Sequence, residues 1–379
     1  MTGKILTTHV GSLPRPTDLI APIVAKDRGG DYDEAELNTL IQKSVNDIVK
    51  AQLDAGVDIV SDGELSKPSY TNYLKYRMNG FGDGKTKLMV PEDLAANPDF
   101  MAAMAANKEN NPLAPPACVA PVSIKDTAPL EADLANFAAA KAEHGASRTF
   151  MNSATPGVVS IFMPNEFYDS EDEYVWALAD ALQDEFEGIV AAGHDLQVDA
   201  PDLAMGRHTF YKHKSDAEFR KAAERNVEAL NHATRNIPAE RLRMHLCWGN
   251  YPGPHTHDVP LDQVLDIVLK AKPQTLLFEA ANPRHAHEHR VWAEHKHTIP
   301  DDKILCPGVI DTNTNSVEHP ELVAERLENF IRIVGVDRVI AGTDCGFSTV
   351  ADRPRVFPSF VWQKLSSMRQ GADIAAERI

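Results

Sequence analysis

His245 and Cys247 place an imidazole and a thiol two residues apart in the short run Met244-His245-Leu246-Cys247-Trp248-Gly249-Asn250. On a strand, side chains two apart share a face, so both donors aim at one spot. Imidazole nitrogen and thiolate sulfur suit zinc better than magnesium or calcium. Two donors do not hold a zinc ion, so other segments must complete the set. Thr275-Leu276-Leu277-Phe278-Glu279 is an apolar run closing on a carboxylate, and Arg338 to Gly346 is another, closing on Asp344-Cys345-Gly346. If the three strand ends converge, His245, Cys247, Glu279 and Cys345 make a four-ligand metal set. Each residue alone has an ordinary reading: a chance H-x-C, a cysteine acting as a small apolar residue, a solvated glutamate. What selects the metal reading is that all lie at the carboxyl end of an apolar strand.

The rest of the chain alternates strands with amphipathic helices. Strands are predicted at Ile5 to Val10, Val57 to Glu64, Thr149 to Ser153, Leu196 to Asp199, the His245 run, the Glu279 run, Lys303 to Asp311 and the Cys345 run. Helices are predicted near 33–55, 129–144, 171–192, 216–236, 261–270, 285–293 and 323–334. Residues 66–128 break this rhythm and read as an inserted lid with a hairpin, because a bare loop of that length is unusual in a compact domain. Pro121 keeps Ala117 to Ile124 out of a central sheet position. Eight strand–helix units remain, the number a single (β/α)8 TIM barrel spanning 1–379 requires. Its active site would lie at the carboxyl ends of the strands, where Gly11, Ser12, Glu64, Asp199, His245, Cys247, Glu279, Asp311, Asp344 and Cys345 fall. No G-x-G-x-x-G follows a strand and no P-loop occurs, which argues against a doubly wound nucleotide-binding sheet.

Composition sets outer bounds. The 379 residues are 43% hydrophobic and 25% charged, usual for a globular enzyme, and the formal net charge of −17 argues against nucleic acid or an anionic membrane as partner. No run is long and apolar enough for a membrane span, and Met1 to Ile5 lacks the apolar core of a signal peptide. Four cysteines are too few for a disulfide scaffold, so a reducing, cytoplasmic setting is expected. His285, His287 and His289 could suggest a second metal cluster, but with Arg284, Glu288 and Arg290 on one predicted helix they read as a solvated face.

These pieces together resemble the catalytic barrel of cobalamin-independent methionine synthase and its shorter relatives. Thr8-His9-Val10-Gly11-Ser12-Leu13-Pro14 resembles the family's T-x-G-S-F-P, Asp62-Gly63-Glu64 its H-G-E, and Gln197 to Pro201 its Q-I-D-E-P. Gly308 to Asp311 resembles G-V-Y-D, and Thr343 to Gly346 resembles P-D-C-G. The resemblance implies Zn2+ bound by His245, Cys247, Glu279 and Cys345. Homocysteine would be held by Ser12, Glu64 and Asp199, with Gly11 and Asp311 at the same rim. It also implies transfer of a methyl or alkyl group to a substrate thiol that zinc activates as a thiolate. Glu279 would yield its position to the incoming sulfur, and Asp344 would orient a ligand or the substrate.

The chain departs from the family at the donor side. Ala200 stands where a glutamate is expected, and Met163 and Pro164 where a pterin-stacking tryptophan is expected. It is also too short for the family's additional N-terminal barrel. The alkyl donor, the acceptor thiol and the oligomeric state, including whether a homo-oligomer forms, are therefore left open. Epoxyalkane:coenzyme M transferase is the alternative on the same zinc site, with Arg15, Lys67, Lys75 and Arg207 as candidate sulfonate partners. A uroporphyrinogen-decarboxylase-like enzyme would have no use for both Cys247 and Cys345, and a non-catalytic zinc-containing barrel is the remaining alternative.

Overall fold

In the computed structural model, which describes residues 4–86, 90–106, 116–352 and 354–379, eight parallel strands form a ring. They are β1 (Leu6–Thr7), β2 (Ile59–Val60), β5 (Arg148–Ala154), β6 (Asp195–Asp199), β7 (Leu242–Leu246), β8 (Thr275–Phe278), β9 (Ile304–Ile310) and β10 (Ile340–Thr343). Their order is β1-β10-β9-β8-β7-β6-β5-β2, and a parallel bridge between Thr8 and Ile59 joins the last strand to the first. The expected (β/α)8 barrel is the fold. The hairpin β3 (Met78–Gly82) and β4 (Ala117–Ile124) stands apart as a two-stranded antiparallel sheet. A bulge at Gly80 (φ +97°) brings its backbone against the carbonyls of Ala120 and Pro121, a closeness that a Cβ would forbid.

Alternation within the strands divides the core in two. Val10, Ile59, Phe150, Leu277, Cys306 and Ile340 pack inside the barrel. Their neighbours Leu276, Phe278, Leu305 and Ala341 join the larger cluster between strands and helices. The helix Glu171–Ala191 shows the matching pattern, burying Tyr174, Val175, Leu178, Leu182, Phe186 and Ile189. Side chains satisfy the free amides at the helix starts: Asp33 and Ser170 each accept one, and Ser215 with Glu218 forms a full capping box.

Among the described residues, four helices were not foreseen: Thr17–Arg28, the single turn Leu74–Arg77, Pro156–Phe162 and Pro358–Glu377. The first begins just beyond the proline pair Pro14 and Pro16, and the last supplies the helix of the eighth unit. The helices expected near 261–270 and 285–293 shrink to single turns, Leu265–Val268 and His289–Glu294, each preceded by a 3-10 turn. Within the inserted segment, Glu92–Ala96 and Pro98–Ala106 are helical. Among the described residues, no helix is long and apolar enough to cross a membrane.

Candidate metal centre

Register carries the donors to one level. Asp199 pairs with His245, Leu246 with Phe278, and Thr343 with Ile310. The residues just past these strand ends are Cys247, Glu279, Asp311, Asp344 and Cys345. On β7 the inward side is marked by Arg243, whose guanidinium lies over the Phe150 ring at 3.9 Å within the barrel. His245 and Cys247 continue that side. On β10 strict alternation from the inward-facing Ile340 would send Cys345 outward. A register shift between Gly342 and Thr343 breaks the alternation, and the Cys345 sulfur meets Cys247 Sγ at 3.4 Å. Re-aiming one side chain is a recurrent use of such irregularities.

The donor atoms of His245, Cys247 and Cys345 all lie within 4.8 Å of one another, and Glu279 Oε1 is 3.9 Å from Cys345 Sγ. Sulfurs bound at ~2.3 Å to one tetrahedral ion would sit about 3.8 Å apart, close to the separation found. All four groups are buried. The hydrogen bond with Cys247, burial, and the charges of Cys247, Glu279 and Asp344 push the Cys345 thiol well above its ordinary range. A cation among these donors would reverse that cost. Burial would depress His245, but the hydrogen bond it donates to Asp199 and the charges of Cys247, Asp199 and Glu279 outweigh it and carry the imidazole to about 9. The donor set fits a zinc ion.

Glu279 and Asp344 are held by different partners. Glu279 Oε1 accepts the Trp248 amide at 2.9 Å, while Oε2 accepts from Asn282 Nδ2 and Arg284, both at 2.7 Å. Asp344 accepts the amides of Ala280, Ala281 and Asn282 and the Asn282 side chain, all at 2.8–2.9 Å. It therefore fastens the turn that follows Glu279. Burial and the charges of Glu279 and Asp311 lift it to about 7, against the pull of the Ala280 and Ala281 amides. An added Cβ on Gly308 would lie 2.2 Å from Asp344 Oδ1, so glycine there leaves the carboxylate its place. Asn282 escaped the sequence reading, and Arg284, expected on a solvated face, instead pairs with buried Glu279; a cation five residues past a strand-final glutamate was the available signal.

On the facing side, acceptors outnumber donors. A Cβ on Gly11 (φ +149°) would fall 2.4 Å from Asn152 Oδ1 and 2.6 Å from Glu64 Oε1, so these two side chains meet over that glycine. Asn152 Nδ2 donates to Asp199 Oδ2 at 3.1 Å, and Asp199 Oδ1 is 3.3 Å from His245 Nδ1. The acceptor pocket is thus continuous with the metal centre. Glu64 Oε2 and Asn152 Oδ1 are buried without a hydrogen-bond partner, and Asp199 Oδ1 faces only the His245 imidazole. Glu64 holds a positive φ of 57°, costly for a non-glycine residue. Burial and the charges of Asp199 and Asp62 raise its carboxyl to about 7, although Lys67 and Arg15 oppose the shift. Ser12 Oγ would lie 2.0 Å from a Cβ on Gly346, which sets the hydroxyl directly beside Cys345. Asn152, inside a barrel strand, is the member of this pocket that the sequence reading did not single out.

Other candidates lie elsewhere or are occupied. Asp311 accepts the amide of Asn313 at 2.8 Å. His9 is a satisfied buried histidine: Nε2 meets Gln52 Oε1 at 2.7 Å, Nδ1 accepts the Gly11 amide, and burial lowers it to about 4. Trp248 packs at the rim, donating its indole N–H to Val259 O. The solvated face expected for His285 is corrected: His285 is buried, stacked on Trp248 at 4.2 Å and bonded to Asp258 and Glu288, whereas His287 is exposed. The helix there is only six residues long, so a full-length helical face never forms. Arg15 donates to Ser348, Glu64 O and Lys67 O, and Lys67 to Asn152 O. Lys75 pairs with Asp27 and Arg207 with Asp216. All four cations proposed for a sulfonate are engaged.

Fold and site define a closed parallel barrel with a sulfur, imidazole and carboxylate donor set at its mouth. No family model matches the chain. Proteins named methionine synthase match it along nearly their whole length. That of Saccharolobus solfataricus is 25% identical over 98% of this chain and 95% of its own, and that of Sulfolobus acidocaldarius is 24% identical over 98% and 93%. In fold, a B12-independent methionine synthase from a Shewanella species, solved with selenomethionine, superposes with a TM-score of 0.75 at 20% identity, covering 99% of both chains. A Listeria monocytogenes protein assigned as a vitamin B12-independent methionine synthase gives 0.66 at 20% identity, over 98% and 99%. The family resemblance seen in the motifs therefore extends over the whole chain.

Proposed function

We propose that this protein is a zinc-dependent methyltransferase acting on a thiol that bears an amino group, homocysteine being the acceptor that fits. The observation that carries this reading is the adjacency of two kinds of site. Two sulfurs 3.4 Å apart, with an imidazole and a carboxylate, lie against a pocket of buried, unpaired acceptors. His245, Cys247, Glu279 and Cys345 would hold the ion. When bound, it lowers the pKa of a thiol placed on it, making the sulfur nucleophilic at neutral pH.

The chain's own residues orient the reactants. Glu64, Asp199 and Asn152 offer acceptors to an ammonium group, and Asp199 spans from that pocket to His245. Asp344 positions the turn that carries Glu279, and Arg284 balances the charge of Glu279. In the reaction a bond forms between sulfur and the methyl carbon while the carbon–donor bond breaks, the electron pair leaving with the donor. Homocysteine as acceptor is also supported by what the named relatives make, and the selenomethionine bound to the Shewanella protein is a product-like amino acid. Thiols that must stay reduced suit the cytoplasm.

X-ray absorption at the zinc edge tests the reading. Homocysteine is expected to add a sulfur neighbour to the metal, and coenzyme M is not. An unchanged zinc shell with homocysteine, or an added sulfur with coenzyme M alone, overturns the assignment.

A further inference from the structure

The donors of the sulfur centre and of the acceptor pocket are covered. His245, Cys247, Glu279, Cys345, Glu64 and Asp199 are each at least nine-tenths buried, so a reactant reaches them only when part of the cover lifts. The loop that begins after Cys247 supplies that cover. Trp248 N donates to Glu279 Oε1 at 2.9 Å, and Gly249 N to Cys247 Sγ at 3.3 Å. Asn250 Nδ2 then reaches Gly346 O, beside Cys345, at 2.8 Å. In the ring, β8 and β9 separate β7 from β10, so this bond crosses the barrel mouth. It is a single tie, because Asn250 Oδ1 is buried without a partner.

What holds the loop down comes from the inserted segment. Asp93, on the short helix Glu92–Ala96, accepts from Tyr251 Oη at 2.8 Å, from the Thr256 amide and hydroxyl at 3.0 and 2.8 Å, and from His257 Nδ1 at 2.7 Å. One atom each of Asp93, His255 and Asp258 lies within 4.8 Å of the others, with His255 Nδ1 3.0 Å from Asp258 Oδ2. Among the described side chains of 90–103, Asp93 alone is buried. The helix is therefore fastened to the loop by one carboxylate and not by apolar packing. A fastening of few hydrogen bonds and little buried apolar surface belongs to the low-stability end of local opening. The loop also carries strain of its own: His255 holds a φ of 53°, costly for a non-glycine residue. Its closed form depends on contacts from outside.

We propose that residues 248–257 form a lid over the donor centre and that Asp93 is the latch that keeps it shut, so that the insertion governs entry of reactants. Releasing the bonds to Asp93 and the Asn250 tie frees the loop while the strands keep their register. Closing it again excludes water from the sulfurs. Any substrate of this centre, whichever thiol it is, must pass the same cover.

Hydrogen exchange of the full-length protein, resolved to single amides, tests the latch. Trp248 and Gly249 donate to Glu279 and Cys247 rather than to Asp93, so loss of the Asp93 carboxylate speeds them only if the loop lifts as a unit. Asp93→Ala is expected to speed both by about tenfold or more, the worth of one hydrogen bond to a charged group. Met244 and Leu246 in β7 should be unchanged, and Asp93→Asn, which keeps one acceptor oxygen, should fall between. In the metal-stripped protein, Cys247 and Cys345 should react with dithionitrobenzoate about tenfold faster in the Ala variant, and Cys306 inside the barrel should not. Acceleration confined to the Thr256 amide, unchanged rates at Cys247 and Cys345, or equal acceleration at Cys306 and in β7 overturns the proposal. These readouts need neither turnover nor bound zinc, so their failure is separate from that of the zinc-edge assignment.

Discussion

The two donor clusters are built on opposite principles. The sulfur centre takes its residues from the ends of three barrel strands and from the turn after β8, so the hydrogen-bonded register of the barrel places them. The Asp93–His255–Asp258 cluster joins a loop to an insertion and is placed by side-chain hydrogen bonds alone. A site on strand ends is held by the whole barrel and tolerates little change in geometry. A cluster spanning a loop and an insertion can form or open without disturbing the strands.

The largest effect should follow from breaking the first cluster. Cys247→Ser or Cys345→Ser is expected to lower zinc content to background and methyl transfer by more than ~100-fold, since loss of even an outer-shell partner costs 10–100-fold. Zinc analysis with a steady-state assay checks it; a variant keeping both metal and turnover would break the distinction between the sites. Next in size, Glu64→Gln should weaken use of an amino thiol by ~10- to 100-fold, the worth of a charge-assisted hydrogen bond of about 1.5–3 kcal/mol. Because the Glu64 carboxyl is raised to about 7, it is protonated below that pH and ionised above it. Affinity for the ammonium group should therefore rise through pH 7 in the wild type, and this inflection should vanish in the Gln variant. A pH series of kcat/KM decides.

Smaller changes test the contacts between the loop after β7 and the insertion. Asp258→Asn should weaken its bonds with His255 and His285 and lower the thermal midpoint, while methyl transfer at saturating zinc stays within about threefold; differential scanning with a steady-state assay measures this. Smallest is Tyr251→Phe, which deletes one of several donors to Asp93 and should cost about 1 kcal/mol. Burial would raise the Asp93 carboxyl, but hydrogen bonds from His257, Thr256 and Tyr251 hold it down to about 2. A depressed carboxyl stabilises the fold above its unfolded value of about 3.9 and loses that contribution as pH falls through 2. Acid unfolding of Tyr251→Phe should accordingly begin at a higher pH than that of the wild type.

Much of the candidate centre was readable from residue order. Apolar runs ending in His245-Leu246-Cys247, Glu279 and Asp344-Cys345 already carry the donors, because parity on a strand and the polarity of a barrel's mouth are local and repetitive properties. The same logic located Glu64 and Asp199. It did not reach Asn152, whose partners Val10 and Asp199 lie on other segments, it read Arg284 as part of a solvated face although Glu279 is only five residues away, and it missed the burial of His285, which follows from Trp248 and Asp258 closing over it.

The order of residues alone determined the eight strands, most of the helices that follow them, and which side chains stand at the strand ends, since each of these is a short-range pattern of burial and turn chemistry. Only the tertiary structure decided that Cys345 turns inward, through a register shift against β9 that no pattern in its own strand announces. It also decided that Tyr251 and Thr256 meet Asp93. Those contacts join segments more than 150 residues apart, and closing such a distance is a property of the packed barrel rather than of any stretch of chain.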